Sequence, residues 1–231
     1  MLEEQDTFYD RMAAGSSWDE WTNPYETRRR LHAIFGRLLP PERLAGQRFL
    51  DAGSGGGHFS AAAHRAGARV TSLDVGANLL AEVTARVAVG PVQGSVTMLP
   101  FRDASFDVVL STEVVEHTPD PRRCLGELAR VVKPGGTLVV TTPGRLWQPV
   151  VRLASRLQLR PYQGRENFLW PHTARRTVEH AGIEVDRLFG FNLLPLFHEA
   201  FDGFHRAADR LGTALPWLYV NFAIRGTKAS L

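Results

Sequence analysis

Two short segments of the 231-residue chain combine residue types that could do chemistry. The first is the glycine-rich run Asp51-Ala52-Gly53-Ser54-Gly55-Gly56-Gly57, and the second is Glu113-Val114-Val115-Glu116-His117. Glycines let a backbone turn tightly and approach a ligand closely. Two carboxylates and an imidazole can hold a divalent cation or move a proton. We therefore expect a ligand-binding loop and a reactive site, provided that the fold brings both segments together.

The order of apolar runs predicts the sheet that would carry these segments. Short β-branched runs alternate with helical patterns, which is typical of a parallel sheet covered on both faces. We predict strands over 48–51, 69–74, 92–96, 106–111 and 137–142, and helices over 58–66, 77–87 and 121–132, the last one ended by Lys133-Pro134-Gly135-Gly136. After a helix over 173–181, strands over 183–191 and 217–225 lack a crossover helix, which indicates an antiparallel hairpin at the sheet edge. The expected fold class is α/β and Rossmann-like.

Composition limits the class of protein. Hydrophobic residues make up 44% of the chain and charged residues 22%, which is typical of a globular protein. No apolar run approaches the roughly 18–20 residues that cross a bilayer, and the acidic N-terminus does not read as a secretory signal. The single cysteine, Cys124, fits a reducing compartment, so a cytoplasmic location is expected. The net charge of +3 does not argue for a nucleic-acid partner.

The glycine loop favours one cofactor over its rivals. Asp74 ends the second predicted strand, where a carboxylate can accept both hydroxyls of a ribose. His58 stands where the dinucleotide fingerprint needs its third glycine. An acid at the mouth of the loop, Asp51, would repel a phosphate but suits the ammonium of a methionine moiety. S-adenosylmethionine is therefore expected, with a nucleotide-fold dehydrogenase and a ligand-free tight turn as alternatives.

The length fits a single domain, 1–231, with three parts. A helical lid is expected over 1–45, and it is too short to form a core of its own. The cofactor-binding core is expected over 46–143. Substrate-lid insertions and the C-terminal strands are expected over 144–231.

Four stretches carry a family resemblance. FLDAGSGGGHFS, VTSLDVG, LPFRDASFDVVLSTEVVEHTPDP and ELARVVKPGGTLVVTTP resemble, in order and spacing, the motifs of class I S-adenosylmethionine-dependent methyltransferases, and are most like the ubiquinone-biosynthesis O-methyltransferase group. The resemblance covers about residues 48–143 and implies a seven-stranded, mostly parallel sheet with an antiparallel last strand. It implies cofactor contacts from Asp51, Gly53, Gly55, Gly57, Asp74, Val75, Ser95 and Val96. Ser95 stands where many relatives have an acid that meets the adenine amine.

The resemblance also bears on the second segment. If its turn is helical, Glu113, Glu116 and His117 share one face. The pattern E-x-x-E-H is similar to one shared by quinone O-methyltransferases and small-RNA 2′-O-methyltransferases, and in the latter it binds a metal with the help of a later histidine. That similarity implies His172 as the fourth ligand here, with a cation such as magnesium lowering the pKa of an acceptor hydroxyl. Without a metal, His117 or His172 is expected to be the general base, or the segment merely lines the pocket.

The lids should hold the methyl acceptor. Aromatic residues crowd 1–30, 144–172 and 190–216, which predicts an apolar pocket, although the same rings can form the cores of the lids. Apolar residues and arginines alternate at helical spacing over Val150–Leu159, which allows peripheral membrane association or an ordinary solvated face.

We expect O-methylation of a hydroxyl on a small molecule of aromatic, quinone-like or natural-product type. N- or C-methylation without metal, methylation of an RNA 3′ end and non-catalytic cofactor binding stay open, and the modest net charge disfavours RNA. The sequence carries no signal for oligomeric state.

Overall fold

A computed structural model describes residues 18–159 and 166–230, and its centre is a seven-stranded sheet. The strands are β1 Arg48–Ala52, β2 Arg69–Asp74, β3 Gly90–Gln93, β4 Phe106–Thr112, β5 Val132–Pro143, β6 Ile183–Phe191 and β7 Asn221–Lys228. Their spatial order is β3-β2-β1-β4-β5-β7-β6. Strands β1 to β5 pair in parallel, and β7 runs antiparallel to both β5 and β6. The predicted Rossmann-like α/β sheet with an antiparallel last strand is confirmed.

Helices cover both faces of this sheet. They are α1 Trp18–Trp21, α2 Pro24–Ala33, α3 His58–Arg65, α4 Ala77–Arg86, α5 Pro121–Val131, α6 Gln148–Arg156, α7 Pro171–His180 and α8 Asp202–Ala208. Two of them begin with a proline after a capping side chain, Asn23 for α2 and Asp120 for α5, because these side chains accept hydrogen bonds from first-turn amides. In the described ranges, no helix has both the length and the apolar character needed to span a bilayer.

The core lies on both faces of the central strands. Leu50 and Val109 face one side, where they belong to the same buried cluster as Leu125 of α5. Their neighbours Phe49 and Leu110 face the other side and share a cluster with Ile34, which lies just beyond α2. Successive residues of a strand point to opposite faces, and here both faces are buried. The sequences of β1 and β4 are therefore mostly apolar at every position instead of alternating with polar residues.

Three details of the predicted elements are wrong. The third strand is Gly90–Gln93 rather than 92–96, because the chain turns at Gly94 and Ser95 forms only an isolated bridge with Met98. The last strand begins at Asn221, since Pro216–Leu218 forms a 3₁₀ turn. The fifth strand begins at Val132 rather than at residue 137, and its register with β4 shifts before Thr137. The predicted antiparallel pairing of the two late strands at the sheet edge is confirmed, with β7 next to β5 and β6 outermost.

Candidate functional site

The two reactive segments lie at one edge of the sheet. The glycine loop follows β1, Asp74 ends β2 and Glu113 follows β4, so all three lie at the carboxyl ends of parallel strands. Asn221 joins them because β7 runs the other way and begins at this edge. The segments also touch, since a Cβ added at Gly53 would lie 2.3 Å from Cγ2 of Val114. The reactive segment therefore packs against the glycine loop.

The glycine loop has a shape that side chains would not allow. Gly53, Gly55 and Gly57 have φ angles of 81°, 48° and 80°, in the left-handed region. The Gly53 amide donates to the carbonyl of Leu73 over 2.7 Å, and the Gly55 amide donates to Asp74 Oδ2 over 2.9 Å. These two hydrogen bonds fix the glycine loop to the end of β2.

Asp51 and Asp74 lie beneath the loop in different environments. Asp51 is fully buried, and its Oδ2 accepts a 2.6 Å hydrogen bond from Ser60 Oγ. Its Oδ1 is buried without a hydrogen-bond partner in the described part of the chain. Burial raises the pKa of Asp51 to about 6, helped by the neighbouring Asp74 carboxylate and opposed by the Ser60 hydrogen bond. Asp74 instead accepts from backbone amides, those of Gly55 and Gly76.

These features fit the predicted cofactor. The glycine cradle admits a ligand close to the backbone, and the buried oxygen of Asp51 without a donor favours a ligand that brings a positive group. S-adenosylmethionine carries such a group in its ammonium.

The other predicted cofactor residues, Val75, Ser95 and Val96, follow strands β2 and β3 and make contacts of their own within the protein. The Val75 carbonyl accepts a 2.9 Å hydrogen bond from Gln93 Nε2, which ties the ends of β2 and β3 together. Val96 is buried in the core cluster. The Ser95 hydroxyl lies 2.9 Å from Thr97 Oγ1. An adenine contact from Ser95 stays a prediction.

Helix α1 fastens the N-terminal lid over the glycine loop. A Cβ added at Gly56 would lie 2.7 Å from Cδ1 of Trp18, so the indole rests on the loop. Asp19 Oδ1 lies 2.7 Å from His58 Nε2, and Arg86 Nη2 lies 2.9 Å from Asp19 Oδ2. Partial burial raises the pKa of Asp19, but its hydrogen bonds to Arg86 and His58 outweigh this and hold the pKa below its usual range. Helix α1 therefore packs on the glycine loop.

The E-x-x-E-H segment is not the predicted helix. Glu113 has a left-handed φ of 54°, and only Val115–His117 forms a single 3₁₀ turn. The Glu113 amide still pairs with the Thr141 carbonyl at 2.9 Å, so the chain extends the sheet before it reverses. The expectation that Glu113, Glu116 and His117 share one helical face is therefore wrong.

Each glutamate of the segment accepts hydrogen bonds from strand ends. Glu113 Oε1 accepts from Thr141 Oγ1 over 2.9 Å, and its Oε2 accepts from Asn221 Nδ2 over 2.7 Å. Glu116 is 1% exposed, and its Oε2 accepts from Thr142 Oγ1 over 2.8 Å. These donors carry no charge, so the two carboxylates are solvated by neutral groups.

The charge of this cluster is balanced from the lid. Arg30 of α2 pairs with Glu26 and places Nη2 3.7 Å from Glu113 Oε2. Burial raises the pKa of Glu113 to about 8 and that of Glu116 to about 7, and in both cases Arg30 opposes the rise. Burial acts to lower the pKa of Arg30, but Glu26, Glu113 and Glu116 outweigh it and raise that pKa. His117 Nε2 lies 3.8 Å from Glu116 Oε1.

The predicted fourth ligand has a different environment. His172 is exposed and stacks on Trp170, with ring centroids 6.2 Å apart. Both rings line an apolar surface pocket of about 330 Å³ together with Pro171, Leu188, Pro216 and Trp217.

Glu113, Glu116, His117 and His172 do not fit a divalent cation. Over residues 18–159 and 166–230, no three His, Cys, Asp or Glu side chains are grouped so that they could hold a metal. The left-handed Glu113 breaks the shared face, and an arginine already lies beside its carboxylate.

Sequence reasoning missed the residues that support the glutamates. Arg30, Thr141, Thr142 and Asn221 belong to elements far apart in sequence. The strand motif TLVVTT contains both threonines, but nothing in it marks them as hydrogen-bond donors to an active-site acid.

The strand order, the glycine-rich loop after β1 and the acid at the end of β2 define a class I S-adenosylmethionine-dependent methyltransferase fold. The sequence profile described as "Methyltransferase domain" matches residues 50–140.

Known proteins agree with this class. A ubiquinone biosynthesis O-methyltransferase from Marinobacter nauticus is 32% identical over 194 residues, which cover 76% of this chain and 82% of the relative. A protein of the same name from Xylella fastidiosa is 29% identical over 205 residues, covering 80% and 81%. A SAM-dependent methyltransferase structure from Thermotoga maritima shares the fold, with a TM-score of 0.71 at 19% identity over 97% of this chain and 100% of that one. The chain belongs to the S-adenosylmethionine-dependent methyltransferases, and it resembles the ubiquinone-biosynthesis O-methyltransferase group.

Proposed function

We propose that this methyltransferase acts on a hydroxyl group of a small molecule of aromatic, quinone-like or natural-product type. One observation carries the proposal: a buried glutamate, Glu116, lies beside His117 in a turn that packs against the cofactor loop. That arrangement suits removal of a proton from an acceptor next to the methyl donor. The relatives named ubiquinone biosynthesis O-methyltransferase support the same acceptor class.

The chemistry assigned to the chain is proton transfer and positioning. S-adenosylmethionine, when bound, supplies an electrophilic methyl carbon. His117 takes the proton of the acceptor hydroxyl, because imidazole is the side chain that most readily exchanges protons near neutral pH. The Glu116 carboxylate, 3.8 Å from Nε2, stabilises the imidazolium that results. His172 lies in the apolar pocket beside Trp170 and Trp217, where it would contact the acceptor rather than take its proton.

The cofactor contacts are part of the same proposal. Asp74 receives the ribose hydroxyls, Asp51 faces the ammonium side, and Gly53, Gly55 and Gly57 cradle the ligand through their backbone. Val75, Ser95 and Val96 border the adenine. We propose that residues 1–231 form one methyltransferase domain, in which 1–45 and 144–231 cover the core 46–143.

The test is transfer of isotope-labelled methyl from S-adenosylmethionine to a panel of catechols, hydroquinones, sugars, amines and RNA 3′ ends, with the methylated atom located by NMR. We expect label on a hydroxyl oxygen. His117→Ala should lower the turnover number by about 10²–10⁴-fold with cofactor affinity retained. His180→Ala is the matched control, because His180 is exposed and bonds only its own helix carbonyl at Arg176 in the described contacts. Label on an amine nitrogen, or full turnover in His117→Ala, would refute the proposal.

The proposal has no step that uses a divalent cation. The predicted ligand set is not assembled, so EDTA should leave the rate of methyl transfer unchanged. A rate that falls in EDTA and returns with magnesium would restore the metal-assisted alternative.

Peripheral membrane association is a second, separate proposal, supported by helix α6. Val150 and Leu153 of α6 are 48% and 56% exposed, Leu157 just after it is 59% exposed, and Arg152 and Arg156 belong to the same helix. Exposed apolar side chains with neighbouring arginines suit an anionic lipid surface. Flotation with phosphatidylglycerol vesicles should recover the protein, and phosphatidylcholine vesicles should not. Equal recovery of a Leu153→Ser/Leu157→Ser variant would count against this role.

A further inference from the structure

Glu113, which is 13% exposed, and the buried Glu116 form a pair of carboxylates, and the described residues around them show no metal-binding arrangement. Their hydrogen bonds come from Thr141, Thr142 and Asn221, which are neutral donors. Neutral donors satisfy the lone pairs of a carboxylate but do not cancel its charge. Buried carboxylates are paired with a cation in most folded proteins, so the source of positive charge for this pair matters.

Among the described residues, Arg30 of α2 supplies that charge. The Arg30 guanidinium places Nη2 3.7 Å from Glu113 Oε2, and Glu26 holds the guanidinium from one turn earlier in the same helix. The Arg30 side chain is 17% exposed, and its Nε is buried with no hydrogen-bond partner in the described residues. A guanidinium remains protonated at any pH the protein would meet, so its charge is permanent.

The neighbouring arginine provides an internal comparison. Arg28 lies on the same helix, is 56% exposed and pairs with Glu199, which is 73% exposed. Arg28 is therefore largely exposed to solvent, whereas Arg30 lies next to the Glu113 carboxylate. Of these two arginines on one helix, Arg28 forms a surface ion pair and Arg30 supplies a positive charge beside Glu113.

We propose that Arg30 is the resident cation of the Glu113–Glu116 pair and excludes a divalent metal from it. Arg30 acts as a positioning residue, because it holds Glu113 rather than contacting the reacting atoms. A divalent cation beside Glu113 would lie next to a guanidinium and be repelled by it. The inference goes beyond the proposed reaction, since it concerns the charge of the site whichever acceptor is methylated.

A consequence is that the lid carries part of the active site. Helix α2 lies outside the core region 46–143, yet its Arg30 balances a carboxylate that follows β4. Displacement of α2 removes this cation, and the two carboxyl groups must then take up protons or attract an external cation.

The test is Mn²⁺ binding to the full-length protein, followed by electron paramagnetic resonance and calorimetry. Wild type, Arg30→Lys and the control Arg28→Met should show no Mn²⁺ site that depends on Glu113. Arg30→Met should bind Mn²⁺ at least about tenfold more tightly than wild type. Adding Glu113→Gln to Arg30→Met should abolish the gain. A merely structural role for Arg30 would not create metal affinity, and the lysine variant separates charge from shape.

Folding of each variant is checked by circular dichroism and by cofactor binding, and Arg30→Gln replaces Arg30→Met if the latter does not fold. The proposal is overturned if a folded Arg30 variant without positive charge gains no Mn²⁺ affinity. It is equally overturned if wild type binds Mn²⁺ through Glu113 and Glu116 and loss of Arg30 leaves the dissociation constant unchanged. Neither result depends on methyl transfer, so failure here is distinguishable from failure of the proposed reaction.

Discussion

Replacing Asp51 by asparagine should stabilise the protein without cofactor. The Asp51 carboxyl is fully buried, and one of its oxygens lacks a partner in the described residues, so its ionised form costs free energy in the folded state. That cost appears as a rise of the pKa of Asp51 from the ordinary value of 3.8 to about 6. Asparagine has nearly the same shape and can still accept from Ser60, but it never ionises.

The size and sign of the effect follow from this pKa. The folded-state value lies above the unfolded-state value, so between them the folded protein binds more protons, and its stability falls as the pH rises from about 4 to about 6. At pH 8 the ionisation of Asp51 lowers the free energy of unfolding by about 3 kcal/mol, and at pH 5 it lowers it by about half of that. The asparagine variant escapes both penalties, and any cost of burying its Nδ2 amide without an acceptor is the same at both pH values. Its advantage over wild type should therefore grow by about 1.5 kcal/mol between pH 5 and pH 8.

The assay is urea unfolding of wild type and Asp51→Asn at pH 5 and pH 8, without S-adenosylmethionine. Glu42→Gln serves as the control, because it neutralises an exposed carboxylate near the start of the core. The control should show the same pH dependence as wild type. An Asp51→Asn variant whose advantage is equal at both pH values would show that Asp51 does not titrate as its burial implies.

The cofactor should reverse this advantage. If Asp51 faces the ammonium of S-adenosylmethionine, the asparagine variant loses an attractive charge and binds the cofactor about tenfold more weakly. Calorimetry at pH 8 measures this. Unchanged affinity would remove Asp51 from the cofactor contacts and leave it as a support of the glycine loop.

Three further variants test other parts of the site. Gly53→Ala should destabilise the protein by about 1–3 kcal/mol in urea unfolding, because φ is left-handed and the new Cβ meets Val114, and Val114→Ala should recover part of the loss. Asp74→Asn should weaken cofactor binding in calorimetry by about tenfold, since a neutral amide accepts ribose hydroxyls less strongly than a carboxylate. Asp19→Ala should speed cofactor release in stopped-flow fluorescence while changing stability by less than about 1 kcal/mol, because its contacts to His58 are at the surface.

The loop and lid variants each have a matched comparison. Gly46→Ala also places alanine at a left-handed glycine, but no atom lies within 4 Å of the added Cβ, so it isolates backbone strain from the clash. Glu179→Ala breaks a surface ion pair with Arg175 away from the lid and should not change cofactor release. Equal losses in Gly53→Ala and Gly46→Ala, or unaltered release in Asp19→Ala, would contradict the packing described for the loop and the lid.

Local patterns were sufficient to predict the position of the glycine loop. Glycines at 53, 55 and 57 are needed for left-handed backbone, and that need is visible in the sequence because few other residues tolerate it. Asp74 could be placed because it directly ends an apolar strand. The main elements of the sheet followed from the same kind of short-range periodicity.

Long-range contacts could not be predicted in the same way. The helical interpretation of residues 113–117 failed because Glu113 makes a sheet contact with Thr141, a residue that the local pattern does not include. Arg28, Arg29 and Arg30 are three consecutive identical residues, and only the docking of α2 separates the exposed one from the other two. The place of β7 inside the sheet likewise depends on which strand edge it meets, not on its own sequence.

The place of β7 has a consequence for synthesis of the protein. Among the described strands it is the last to be synthesised, yet it lies between β5 and β6, which are made earlier. Until Asn221–Lys228 emerges, β5 exposes an open hydrogen-bonding edge and β6 has no neighbour, and both are hazards for association of nascent chains. A chain stopped before residue 221 also lacks the amide that holds Glu113. Pairing of β7 thus completes the sheet and brings Asn221 to Glu113 in the same step.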